Sequence, residues 1–221
     1  RALTRKARER IRLSTGIELQ EDAPAFGAGY FPDDLALQPT PQWPLHNDGT
    51  LGVAGVDLGM PRVWEQLDGA DTLVIAVLDA GLNFLHPDLQ GAWFINQAEA
   101  NGLPGVDDDL NGFVDDVRGW DFVDGDNDPM DFHGHGTQVA GLIASTFDNG
   151  IGLAGMLPRV KILPVRVLST AGFGSTADIA AGIRYAAAMG AHVINFSIGV
   201  QGTSINSVLR DAFIVARDSG V

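Results

Sequence analysis

The chain has 221 residues, 45% of them hydrophobic and 19% charged, a composition that suits one sizeable domain and excludes an intrinsically disordered polymer. Its longest apolar runs are about six residues, as at 73–78, far short of the ~20 that span a bilayer, and the absence of Cys excludes disulfides, thiolate nucleophiles and Cys-based metal sites. The net charge of −14 is uneven: residues 1–12 carry six bases (Arg1, Arg5, Lys6, Arg8, Arg10, Arg12) and one acid, leaving eight bases against twenty-seven acids elsewhere, which argues against nucleic-acid binding by the main body because phosphate contacts need clustered Lys and Arg.

Residues 1–13 read as a basic helix or solvated arm, and residues 22–61, rich in Pro, Gly and Asp, as an extended surface segment. The chain starts at Arg1 and shows no apolar signal core, so it reads as a processed piece of a longer precursor. Residues 1–41 are expected to be an N-terminal extension or linker, and residues 42–221 the body of the chain. From residue 61 the pattern becomes regular. A short helix over 61–67 precedes an apolar strand over 73–78, and Asp79-Ala-Gly81 turns the chain into a Gly- and Asp-rich excursion running to Asp131. Helices are expected over 136–145, 179–189 and 205–219, with Ser204 as N-cap of the last, and strands over 160–168 and 192–197. Apolar strands alternating with helices imply an α/β fold, a parallel sheet covered by helices on both faces, with sites at the carboxyl ends of strands.

Two such positions stand out. Asp79 follows the first strand, where an Asp serves either as a turn former or as a functional carboxylate. Asn195-Phe-Ser197-Ile198-Gly199 ends the last strand with small residues whose backbone could pair with an extended peptide. His135 opens His135-Gly-Thr-Gln-Val-Ala-Gly141, where Gly136, Ala140 and Gly141 let a helix pack close to neighbouring backbone. His133 and His135 together could also be a metal-ligand pair.

The acids are clustered as well. Ten Asp lie between Asp107 and Asp131, with Arg118 the only base among them, and bound cations would neutralise so many carboxylates. Asp107-Asp-Asp109-Leu-Asn111-Gly112-Phe-Val-Asp115-Asp116 places side-chain oxygens at alternating positions before a turn glycine, like the first half of an EF-hand loop, with Arg118 where that loop would carry its Glu. Asp109, Asn111 and Asp115 are candidate ligands there, with Asp107 and Asp116 beside them.

Taken in order, Val74-Ile-Ala-Val-Leu-Asp79-Ala-Gly81, His86-Pro-Asp88-Leu89, His135-Gly-Thr-Gln-Val-Ala-Gly141 and Val193-Ile-Asn-Phe-Ser197-Ile-Gly199 resemble the subtilisin-like serine proteases, the subtilases. The resemblance runs from about Gln42 to Val221 and implies a subtilisin-like fold, incomplete in this chain, and a secreted (extracellular or periplasmic) endopeptidase acting on polypeptides. It implies His135 as general base, Asp79 as the carboxylate that orients it, and Gly172-Phe173-Gly174 and Ser197-Ile198-Gly199 as two edges between which a substrate strand lies. It also implies calcium: Asp121, Asp124, Asp126 and Asp128 match a loop of thermitase-like subtilases, and Asp88 matches a further ligand, although the loop at 148–150 is shorter than in relatives that complete that site.

Three departures from the family pattern are visible. Ala80 replaces the usual small hydroxyl residue, and Gln138 stands where many relatives carry a second His. The family's order is Asp, His, Ser, yet Gly202-Thr-Ser204 comes directly after the Ser197 strand, too early for the nucleophile. The catalytic Ser and the oxyanion Asn are therefore expected from a missing C-terminal portion or a second chain, which leaves this chain inactive by itself. The alternatives are an inactive subtilase fragment that binds peptides without cutting them, and a metal-dependent hydrolase built on His133 and His135.

Overall fold

The computed structural model describes residues 32–34, 42–50, 52–65, 73–157, 159–199 and 207–221. The arm at 1–13, the cap at Ser204 and most of the 22–41 stretch fall outside them. Four parallel strands form one sheet in the order β2-β3-β1-β4, with β1 at Val74–Asp79, β2 at Trp120–Asp121, β3 at Lys161–Arg166 and β4 at Val193–Phe196. The register pairs Asp79 with Arg166 and Leu78 with Phe196, so the strands reach their carboxyl ends together.

Among the described residues the helices are α1 (Met60–Trp64), α2 (Gln97–Ala100), α3 (His135–Ala144), α4 (Thr176–Ala188) and α5 (Ser207–Asp218). The continuous apolar run of β1 serves both faces. Ala76 and Leu78 pack with Leu163 and Val165 against Ile179, Ile183 and Ala186 of α4 and Leu209 and Ala212 of α5. Ile75, Val77 and Ile162 pack the other way, against Ala140, Ile143 and Ala144 of α3. Small residues set the spacing: a Cβ on Gly182 would come within 2.8 Å of Val167 Cγ1, so α4 lies directly on the sheet.

Differences from the expected elements have local causes. Asp79 is the last residue of the ladder rather than the first after it. Helix α4 starts three residues earlier than its apolar pattern suggests, because Ser175 caps it, its Oγ accepting from Asp178 N at 3.0 Å. Strand β2, helix α2 and a short 3-10 helix at Pro87–Leu89 lie within the stretch read as an Asp-rich excursion. Two-residue strand β2 exists through its pairing with Val165 and Arg166, a tertiary contact without a local signature.

Candidate active site

Strand β1 delivers Asp79 to the carboxyl edge of the sheet, and α3 begins at His135 beside it. Gly81, at φ +105°, turns the chain away, and Gly136 allows the approach: a Cβ there would lie 2.2 Å from Gly81 O and 3.2 Å from Asp79 Cβ. The result is a carboxylate–imidazole pair. His135 Nδ1 lies 2.8 Å from Asp79 Oδ2 and 2.9 Å from Oδ1. Asp79 is fully buried and takes a further bond from Ala80 N at 2.7 Å, so the main chain supplies a donor at the position where Ala lacks a hydroxyl. The imidazole is 43% exposed. A buried carboxylate accepting from Nδ1–H fixes the tautomer and stabilises the imidazolium, while the rest of the ring faces outward.

The ring forms part of the wall of a cleft of ≈ 550 Å³. Both predicted edge segments, Gly172-Phe173-Gly174 and Ser197-Ile198-Gly199, line the same cleft, as do the apolar side chains of Leu168 and Ile179. Phe173 is 75% exposed at its rim. Gly174 sits where a Cβ would be 2.1 Å from Val167 O, which presses this segment onto the end of β3. Val167 N and Leu168 N both donate to Asp79 O, at 2.8 and 3.1 Å, tying the cleft floor to the pair. His133, the other half of the possible metal-ligand pair, also lines the cleft, its ring centroid 6.3 Å from that of His135.

The acidic residues separate into three groups. Oxygens of Glu99, Asp107 and Asp109 all lie within 4.8 Å of one another, the one such acidic group among the described residues. Glu99 comes from α2, eight residues before the loop pattern begins, and sequence reasoning missed it; it is buried and accepts from the backbone N–H of Asp108, Asp109 and Asp115. Asn111 bridges Asp109 and Asp116 through its Nδ2. Asp116 is buried, with Asn96 Nδ2 donating at 2.8 Å and the Tyr185 hydroxyl at 2.7 Å. Burial raises the Asp116 pKa above the usual carboxylate range against the pull of these three donors. Asp115 turns instead to Gly105 N, in a left-handed backbone at φ 56°.

In the second group, Asp121 and Asp124 face Arg166 rather than one another's lone pairs. Arg166 is buried, which by itself lowers its pKa, but the bonds to Asp124 and Asp121 outweigh that and raise it. Asp126 and Asp128 are exposed, with Asp126 Oδ1 accepting from Asp128 N. The four are not gathered around one point.

The third group was only half visible in the sequence. Asp88 is buried and accepts from Asn149 Nδ2 at 3.0 Å and Leu153 N at 2.9 Å. Asp34, which no motif singles out, is fully buried beside it, with Oδ2 accepting from Asp148 N and Oδ1 lacking a partner among the described residues. Burial raises the Asp34 pKa, and the nearby charges of Asp88 and Asp33 push the same way. A buried carboxylate oxygen without a donor, next to a second buried carboxylate, suits a hard cation.

The subtilase family profile (Peptidase S8) matches residues 70–219, more than half of the chain. The chain belongs to the subtilase family. It is 38% identical over 160 residues to thermitase of Thermoactinomyces vulgaris, covering 72% of this chain and 48% of thermitase. It is 41% identical over 136 residues to the thermophilic serine proteinase of Bacillus sp. (strain AK1), covering 62% of this chain and 28% of that protein. Among solved structures, a protease of Pseudoalteromonas arctica superposes with a TM-score of 0.65 at 28% identity, covering 86% of this chain and 57% of that one. The chain thus spans less than half the length of these curated relatives.

Proposed function

We propose that this chain is the N-terminal portion of a secreted, calcium-stabilised serine endopeptidase, residues 42–221 belonging to its catalytic domain and residues 1–41 to an extension or propeptide remnant. The single observation that carries the reading is the buried Asp79 carboxylate on Nδ1 of His135, with that imidazole in the wall of a cleft bounded by two peptide-pairing edges. A Ser hydroxyl supplied by a further portion or a second chain attacks the scissile carbonyl. His135 Nε2 takes the hydroxyl proton and returns it to the leaving amine, and Asp79 holds the tautomer and stabilises the imidazolium. The substrate strand lies between residues 172–174 and 197–199, and Leu168 and Ile179 offer it an apolar floor.

Two acidic regions fit calcium by the chemistry of their donors. Asp107 and Asp109, with Glu99 added and Asn111, Asp115 and Asp116 around them, make an all-oxygen set. Asp88 with Asp34 makes the other, carried by the orphaned Asp34 oxygen. The Asp121, Asp124, Asp126 and Asp128 loop is the weaker candidate, since Arg166 already neutralises its two inner carboxylates. Calcium there would neutralise and order loops; no step of peptide hydrolysis passes through it. Secretion accords with the cell wall-associated relative of Bacillus subtilis, 39% identical over 167 residues, and among the described residues no helix is long and apolar enough to cross a membrane.

The second reading, a peptide-binding module without catalysis, is favoured by a cleft already formed by residues of this chain. Co-expression with the remaining part of the catalytic domain separates the two. Cleavage of a peptide library that stops on treatment with a serine-directed phosphonate, and in His135→Ala, is the expected result. Peptide binding without cleavage in the complete assembly would establish the second reading instead.

A further inference from the structure

Asp131 lies four residues before His135, is 9% exposed, and is not a member of any acidic group described above. Its carboxylate accepts four hydrogen bonds: Oδ1 from His133 N at 2.8 Å and Gly134 N at 2.7 Å, Oδ2 from Thr137 N at 2.8 Å and Thr137 Oγ1 at 2.6 Å. The N-cap of α3 is Gly134, at φ 97°, which has no side chain to satisfy the first N–H groups of the helix. Asp131 supplies that cap from the preceding turn. Thr137 Oγ1 also accepts from Asn83 N at 3.0 Å, Asp131 N donates to Leu82 O, and Leu82 N donates to Pro129 O. The segment leaving Asp79 and the segment entering His135 are therefore clasped through one buried carboxylate.

We propose that Asp131 is a positioning residue for His135: it holds the entry turn of α3 so that Nδ1 stays on Asp79, and its negative charge at the helix N-terminus supports the imidazolium. The inference rests on the reading of Asp79 and His135 as the charge pair of a peptidase. The titratable groups near the His135 ring are Asp79, from the end of β1, and His133, from its own entry turn; the cleft segments at 168–179 and 197–199 contribute none to the lining. Arg166 is engaged by Asp121 and Asp124, its guanidinium carbon 6.0 Å from the centroid of the Phe132 ring.

Asp131→Asn keeps the size but puts a donor amide against N–H and O–H donors and removes the charge. The full-length protein labelled with ¹⁵N-histidine gives the Nδ1–H signal of His135 directly. The Nδ1–H proton is expected to exchange with water about tenfold faster, the equivalent of one weakened hydrogen bond. In the peptidase assay kcat falls while KM holds. A folded Asp131→Asn with an unchanged Nδ1–H exchange rate overturns the proposal. Should that variant not fold, Thr137→Val, which keeps the charge and removes one anchor, is expected to speed the exchange, and unaltered exchange there overturns it equally. The imidazole signal does not depend on a nucleophile, so a wild-type protein that never cleaves peptides would defeat the peptidase reading and leave this outcome legible.

Discussion

The pairing of Asp79 with His135 depends on an atom that is missing. At Gly136 a methyl group would meet Gly81 O at 2.2 Å, backbone that cannot swing aside, and Asp79 Cβ at 3.2 Å. Gly136→Ala is therefore expected to push α3 off the end of β1 and to cost about 1–3 kcal/mol of stability, the usual range for overpacking a rigid contact. Thermal unfolding reads the loss, and ¹⁵N-histidine spectra read the weakened bond between Nδ1 and the carboxylate. A variant that melts with the parent and keeps that bond would show that the helix has slack. At this scale the sequence made Asp79 and His135 readable, because each opens or closes a segment of distinctive composition, and the run of small residues after His135 announced the close packing. Asp131 and Asp34 were not readable. They are two Asp among many, and what sets them apart is burial and what donates to them, which only the folded chain decides.

Between elements, one buried polar link joins the acidic loop to α4. Tyr185 is buried on α4 and gives its hydroxyl to Asp116, while burial and the Asp116 carboxylate push the phenol pKa far up, so it remains a donor. Because Asp116 has a raised pKa in the folded state, the fold binds its proton more tightly than the unfolded chain does. Stability from this group is greatest in acid and falls as pH rises from the unfolded value of 3.8 through the raised folded one. Removing a donor to the carboxylate form enlarges that loss. Tyr185→Phe, measured in chelator so that cations do not contribute, is expected to lose about 2 kcal/mol at neutral pH and progressively less as the medium is acidified below the Asp116 titration. A loss that is the same at every pH would mean that only packing had changed. The regular elements themselves were readable within two or three residues, because apolar strands and Ala-rich helices carry their pattern locally. Strand β2 and the contribution of Glu99 from α2 were not, since both exist through partners far along the chain.

For the molecule as a whole, the dominant fact is a body with twenty-seven acids against eight bases, folded so that Asp34, Asp88, Asp116 and Asp121 are buried. Arg166 answers one of these charges with an ion pair, and Tyr185, Asn96 and Asn111 answer another with hydrogen bonds. Among the described residues, Asp34 and Asp88 sit together with backbone and amide donors but no base, and one Asp34 oxygen has no partner. Uncompensated, such a pair works against the fold; with a divalent cation bound only in the native state, the same pair favours it. The two situations predict opposite signs for one substitution. In excess chelator the full-length protein is expected to melt several degrees lower than in millimolar calcium, and Asp34→Asn to melt at or above the parent, because a buried like charge has gone. In calcium, Asp34→Asn is expected to melt below the parent, because a ligand has gone. Differential scanning calorimetry of both proteins in both media gives the four temperatures. If the order of the two proteins does not reverse between media, the cation does not sit on Asp34, and if calcium moves neither melt, the acidic loops of this subtilase are held by hydrogen bonds and Arg166 alone.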